Sequence, residues 1–275
     1  MFKRILLCVL AVFTAAAIVS CGSSSEKEYI VLDENFGSEQ YGIGFRKGDN
    51  ALTLAVQEQI DAMIEDGKAA EISSKWFGSD QVLKNVEFPR ELKDEGDTSL
   101  SNIMTRGTLI LGLDVGFKPM GYYDEAGNIV GFDIDLAGEV AKRLGVELVL
   151  QPIDWDAKEL ELSSGNIDMI WNGMSITDDR VENMNISKPY LANRMVVITA
   201  SDSGIKTLAD LAGKKIAVQA GSSALDAIDA YPDIKATFAN LSEFADNPTA
   251  FLDVKAGRSD ALVVDEVVGR NLISE

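Results

Sequence analysis

Histidine is absent from all 275 residues, and cysteine occurs only at positions 8 and 21. Without histidine the chain lacks the commonest general base near neutral pH and the commonest metal ligand. Without a cysteine pair beyond the first two dozen residues it has no disulfide framework and no cysteine-based metal site. Basic residues are also scarce: 25 lysines and arginines face 44 aspartates and glutamates, a formal charge of −19. A surface of that sign repels nucleic acid and anionic headgroups, so no nucleic-acid partner is expected. With histidine and cysteine lacking, neither a metal nor a cofactor is expected. The acids are dispersed along the chain, as suits a soluble surface.

Hydrophobic residues make up 46% of the chain, enough for two lobes, each with its own core. The start is of another kind. Lys3 and Arg4 precede an apolar run over residues 5–19, too short for a stable anchor helix, so 1–20 is expected to be a signal peptide. Ile18-Val19-Ser20-Cys21 resembles a bacterial lipobox, which would make Cys21 the lipidated first residue and 21–27 a tether. Loss of residues 1–20 removes two cations and no acid, and leaves the chain more acidic still.

The chemistry gathers around Trp171-Asn172-Gly173-Met174-Ser175-Ile176-Thr177-Asp178-Asp179-Arg180. It follows a short apolar run, 167–170, that reads as a buried strand. Ser175 or Thr177 followed by two acids is a helix start. Backbone N–H groups left open there suit an anion, and Arg180 could add a two-pronged hold on a carboxylate. Taken alone, the stretch reads equally as a surface helix on which Arg180 pairs with Asp178 or Glu182.

The rest of the chain alternates strands and helices. A strand over 41–48 and a helix over 51–66, with Leu52, Val56, Ile60 and Met63 on one face, come first. A short helix over 69–76 follows. Residues 79–100 are charged and weakly periodic, and read as a linker or loosely packed segment. Strands are expected at 108–113, 147–151, 167–170, 195–200, 215–218, 236–239 and 261–264, with helices between them. This pattern implies parallel sheets flanked by helices, with ligands at the carboxyl ends of strands. Those ends carry Asp114 and Phe117, Asp154 and Trp155, the 171–180 stretch, Gln219 to Ser223, and Asp265. One arginine, two helix starts, acids and aromatics together would suit an amino acid. Each residue also has a plain structural reading, since Asp265 could cap a helix and Trp155 or Phe117 could fill a core.

The motifs Phe117-Lys118-Pro119-Met120-Gly121, Gly131-Phe132-Asp133-Ile134-Asp135-Leu136, Ser164-Gly165-Asn166-Ile167-Asp168 and Met174-Ser175-Ile176-Thr177 with Arg180 resemble those of bacterial extracellular solute-binding proteins for amino acids, family 3 type. So do Ser187-Lys188-Pro189-Tyr190, residues 211–218 and residues 260–265. The resemblance implies a two-lobed, periplasmic-binding-protein-like (type II) α/β fold. The order differs from the family's, because Tyr41 to Lys47 and Lys75 to Gly78, which usually end such chains, come first. The chain is therefore expected to be a circular permutant. Lobe 1 would comprise 43–78 plus 104–193, lobe 2 would comprise 28–42 plus 194–275, and 79–103 would join the usual ends. The lobes would hinge near Gly42–Phe45 and Asn193–Met195.

The resemblance also implies roles. Arg180 would bind the ligand's α-carboxylate with the backbone N–H groups of Ser175 and Ser223. Asp265 would accept the α-ammonium with the Gly173 carbonyl and the Ser175 hydroxyl. Phe117 and Trp155 would sandwich the ligand, and Asp114, Asn172 and Gln219 would line its side-chain end, with Met174 and Ser222 beside them. The implied function is extracytoplasmic capture of a polar or basic amino acid by a monomeric, membrane-anchored lipoprotein. The ligand would pass to the permease subunits of an ABC importer. A sensor domain for a signalling partner and a dehydratase-like enzyme are the alternatives.

Overall fold

The computed structural model describes residues 27–93 and 96–274, so the expected signal peptide and Cys21 lie outside the described residues. The chain runs β1 (Tyr29–Val31), β2 (Ser38–Arg46), α1 (Asn50–Glu65), α2 (Lys68–Phe77) and α3 (Ser99–Arg106). Then come β3 (Thr108–Leu113), β4 (Gly116–Phe117), β5 (Gly121–Tyr123), β6 (Ile129–Val130), α4 (Phe132–Leu144), β7 (Glu147–Pro152) and α5 (Lys158–Ser163). Next are β8 (Met169–Ser175), α6 (Asp178–Asn183), β9 (Met184–Ile186), β10 (Leu191–Ala200), β11 (Lys215–Gln219), α7 (Ser223–Asp229) and α8 (Pro232–Lys235). Last are β12 (Asn240–Phe244), α9 (Asn247–Lys255), β13 (Ala261–Asp265) and α10 (Glu266–Ser274).

The main sheet reads β12-β11-β13-β10-β2-β8-β3-β7. Each half holds three parallel strands: β11 pairs in parallel with β12 and β13, and β3 with β7 and β8. The two long strands between them are antiparallel, so the architecture is α/β as expected but the sheet is mixed. β10 serves both halves. Leu191 to Arg194 pair with Tyr41 to Ser38 of β2, and Met195 to Thr199 pair with Asp265 to Ala261 of β13. The crossing on β2 therefore lies at 38–41, a few residues before the expected 42–45, which pair with β8 and β9 instead.

Burial explains the elements. β8 and β13 are buried along their whole length, as apolar strands flanked by helices on both faces should be. Leu52, Val56, Ile60 and Met63 form the buried stripe of α1, each worth about 1.5–3 kcal/mol of apolar burial. The strand expected at 236–239 starts instead at Asn240. Residues 236–239 close the turn after α8, where Thr237 O accepts from Gly213 N and Ala239 N donates to Lys214 O.

The segment 79–103 is less loose than its composition implies. Val82 is buried and bridges to Leu191, and the last part of the segment is already α3. Its tightest attachment is a borrowed helix cap. Asp49, the residue before α1, makes no side-chain cap bond. Asp97 Oδ2 instead accepts from Ala51 N at 2.7 Å, Ser99 Oγ accepts from Leu52 N at 3.0 Å, and Asp97 Oδ1 accepts from Ser99 N at 2.9 Å. One carboxylate thus satisfies free N–H groups at the starts of α1 and α3. Asp97→Ala is expected to cost about 1–2 kcal/mol, read as a lower midpoint in urea unfolding. An unchanged midpoint would show that water replaces the carboxylate at no cost.

Candidate functional site

The residues singled out in the sequence converge where the two halves of the sheet meet. β8 ends at Ser175, and Thr177 caps the helix after it, its hydroxyl accepting from Arg180 N. α6 has six residues and α7 seven, so their helix dipoles are small, and the charge that receives an anion belongs chiefly to the arginine. Arg180 is only 5% exposed, which removes the surface ion-pair reading. Its guanidinium donates to Ser175 O at 2.7 Å and to Gly221 O at 3.3 Å. Among the described residues no carboxylate lies within 4.0 Å of it. Burial pushes its pKa down, opposed by the more distant Asp226, Glu159, Glu39 and Asp265.

A hydrogen-bonded chain of acids and hydroxyls crosses the same space. Ser223 Oγ donates to Ser175 Oγ at 3.0 Å, and Ser175 Oγ donates to Glu39 Oε2 at 2.8 Å. Asn193 Nδ2 donates to Glu39 Oε2 at 3.1 Å and to Asp265 Oδ1 at 2.8 Å. Tyr41 Oη closes the chain by donating to Asp265 Oδ1 at 2.7 Å. Burial, then repulsion by Glu39, raises the Asp265 carboxyl to about 7, against the pull of the Tyr41 hydrogen bond. Two carboxylates sharing one amide donor make a strong site for a cation such as an ammonium.

The other end of the site is built around Asp114. Its Oδ2 accepts from Gln219 Nε2 at 2.6 Å and its Oδ1 from Gly116 N at 2.7 Å. Burial raises its pKa, and those two bonds work against the rise. Gln219 Oε1 accepts in turn from Asn247 Nδ2 at 2.9 Å, and Asn172 Oδ1 accepts from Asp114 N at 3.0 Å. The Asn172 Nδ2 donor is buried without a partner. Beside Asp114 lies a cavity of about 430 Å³ whose lining includes Asp154, Trp155, Glu161 and Asp246 and no lysine or arginine.

Gly173 allows the close packing between these ends. Its φ is +56°, and a Cβ there would fall 2.6 Å from Phe117 Cε1 and 3.2 Å from Tyr41 Cε2. Its N–H donates to Asp133 Oδ2 at 2.7 Å, an acid fully buried under β8, raised by burial to about 7 and also bonded by Tyr190 Oη. Phe117 and Trp155 are both buried, in different apolar clusters. Met174 is a correction, because its side chain packs in the apolar cluster with Ile170, Met184 and Ile186 and against Gly44. Ser222 turns inward too, its hydroxyl donating to Gln219 O at 2.7 Å.

Five members of the site are not marked by the sequence: Glu39, Tyr41, Lys158, Asn193 and Asn247. Lys158 is 4% exposed and donates to Gly221 O at 2.8 Å and Trp155 O at 3.2 Å. Burial, then Arg180, lowers its pKa to about 8. Glu39 and Tyr41 reach the site only through the antiparallel register of β2 with β10 and β8, which residue types do not reveal. Lys158 sits at helical spacing after Trp155, and was hidden by the ordinary expectation that lysines stay in water.

Comparison with known proteins agrees with this geometry. The sequence model for bacterial extracellular solute-binding proteins, family 3, matches residues 109–262, more than half of the chain, and the protein belongs to that family. It is 31% identical over 188 residues to the L-cystine-binding protein TcyJ of Escherichia coli K12, covering 68% of both chains. It is 31% identical over 161 residues to the arginine-binding extracellular protein ArtP of Bacillus subtilis, covering 58% of this chain and 62% of that one. A substrate-binding protein of an ABC uptake transporter from Streptococcus pneumoniae, solved with bound histidine, superposes with a TM-score of 0.63 at 40% identity, covering 65% of this chain and 74% of its own. An ancestral amino-acid-binding protein, AncCDT-1, described as a precursor of cyclohexadienyl dehydratase, gives 0.60 at 34% identity, covering 64% and 78%.

The raised acids predict how stability depends on pH. Asp265 and Asp133 both hold protons to about pH 7 when folded and release them near the ordinary carboxylate value of 3.8 when unfolded. Protonation therefore favours the folded state, and that stability is lost as pH rises through about 7. Ligand-free protein should melt at a higher temperature at about pH 6 than at about pH 8. Asp265→Asn should flatten that slope, and an unaltered slope would remove Asp265 as its source.

Proposed function

We propose that the protein binds a free polar or basic amino acid in the cleft between its sheet halves and delivers it to an ABC importer. The observation that carries this reading is a buried arginine with no carboxylate beside it, facing a pair of carboxylates that share one amide donor. An α-amino acid supplies the complement of both, with its carboxylate to Arg180 and its ammonium to Asp265 and Glu39. Ser175 and Ser223 bridge the two, and Phe117 and Trp155 flank the ligand's body. Asp114, Asn172 and Gln219 receive the side chain, and the acidic cavity behind Asp114 favours a side chain ending in a cation. The names of the relatives support the same class, since those proteins bind cystine, arginine or histidine.

Binding without catalysis is the reading best supported by the chemistry present. The chain has no histidine. The acids that would otherwise serve as proton donors are engaged with Tyr41, Asn193, Gly116 and Gln219. We also infer that the chain is a circular permutant carried on an N-terminal lipid at Cys21, on the outer side of the membrane. The family match begins at residue 109, while β2, ahead of it, supplies Glu39 and Tyr41 to the site. Among the described residues no helix is long and apolar enough to cross a membrane.

Calorimetry of residues 22–275 against the twenty amino acids and cystine tests the reading, and no heat with any of them would overturn it. Arg180→Ala is expected to lose about 2–5 kcal/mol of binding free energy. Asp114→Asn should narrow the preference for basic over neutral ligands. Because Asp265 must be ionised to hold an ammonium, affinity should fall below about pH 7, with protons released on binding at that pH.

A further inference from the structure

Gly221, on the turn between β11 and α7, is a point of close contact between the second half of the molecule and the first. Its φ is +63°, and a Cβ there would fall 2.8 Å from Asp156 Oδ1 and 2.9 Å from Asp156 Cα. Its carbonyl oxygen accepts from two cations of the opposite half, Lys158 Nζ at 2.8 Å and Arg180 at 3.3 Å. Neither cation has a carboxylate within ion-pair distance among the described residues. Lys158 is further held by Trp155 O and stands over the Trp155 ring, 5.1 Å from its centroid.

Two buried like charges on one carbonyl oppose each other as well as the loss of water. The nearest acids, Glu159, Asp156 and Asp226, offset this only from a distance. An anion placed at Arg180 would change the balance, because it neutralises the charge that disfavours Lys158. We propose that Lys158 is a positioning residue that latches the cleft shut through Gly221 O, and that the ligand's carboxylate sets the strength of the latch. This rests on the amino-acid-binding reading and adds to it a residue that acts on closure rather than on first contact. Arg180 recognises the carboxylate, while Lys158 converts its presence into a longer-lived closed state.

The test separates arrival from release. Stopped-flow tryptophan fluorescence with L-arginine, L-lysine, L-histidine and L-cystine as probes gives both rates. Lys158→Met should leave the association rate within about twofold of wild type and raise the dissociation rate about tenfold or more, the worth of one charge-assisted hydrogen bond. Lys158→Arg should restore most of the loss, and the ligand-free melting temperature of Lys158→Met should stay near that of wild type. If Lys158→Met does not fold, Lys158→Gln, which keeps a donor without the charge, should show the same split. An unchanged dissociation rate, or a loss confined to association, overturns the latch while leaving the binding reading intact. Wild-type protein that binds none of the twenty amino acids or cystine overturns both.

Discussion

A charge separation buried at one place organises this molecule. Arg180 and Lys158 stand at one end of a buried polar chain and Asp265 and Glu39 at the other, joined by hydroxyls and one amide. Taking such groups out of water costs several kcal/mol each unless partners are placed to meet them. Carbonyl oxygens and neutral donors meet them here, and they leave net charge of opposite sign at the two ends. The fold supplies the rigidity this needs. Asp133 ties Gly173 to Tyr190 beneath β8, and Trp171, Tyr190 and Phe132 pack around it.

In the proposed reading, selectivity belongs to a separate region, and the arginine and the paired acids would meet what every α-amino acid carries. Asp114, Gln219 and Asn247 form a relay at the far end, backed by a cavity lined with acids. The proposed contacts to the ligand's backbone and to its side chain are thus borne by different elements, so the second set could change while the first is kept. A two-lobed scaffold of this kind fits relatives whose names point to cystine, arginine and histidine.

Much of this was legible in the residues. The apolar stripe of α1, the buried strands β8 and β13, and the gathering of Asp114, Arg180, Ser223 and Asp265 at strand ends all follow from short-range pattern. Long-range register was not legible. Glu39 looks like a charge at the start of a strand until β2 is paired with β10, which sets it against Asn193. Met174 looks like a site residue until the fold packs its side chain with Ile170, Met184 and Ile186. The segment 79–103 has the composition of a linker, yet Asp97 anchors it, because a cap donated across the sequence leaves no local motif.

The division of β10 between the two halves has a consequence for how the chain comes off the ribosome. Every strand that pairs with β3, β8 or β9 has been synthesised by the time residue 191 emerges, so the half that carries Arg180 can complete its sheet at once. The other half must hold β1 in waiting until Ile198 to Ala200 arrive to pair with it, and it gains Asp265 only when β13 follows and pairs with β10. The nascent chain therefore holds Arg180, Lys158 and Glu39 before it has Asp265. The paired carboxylates meet through Asn193 only once β13 has joined β10.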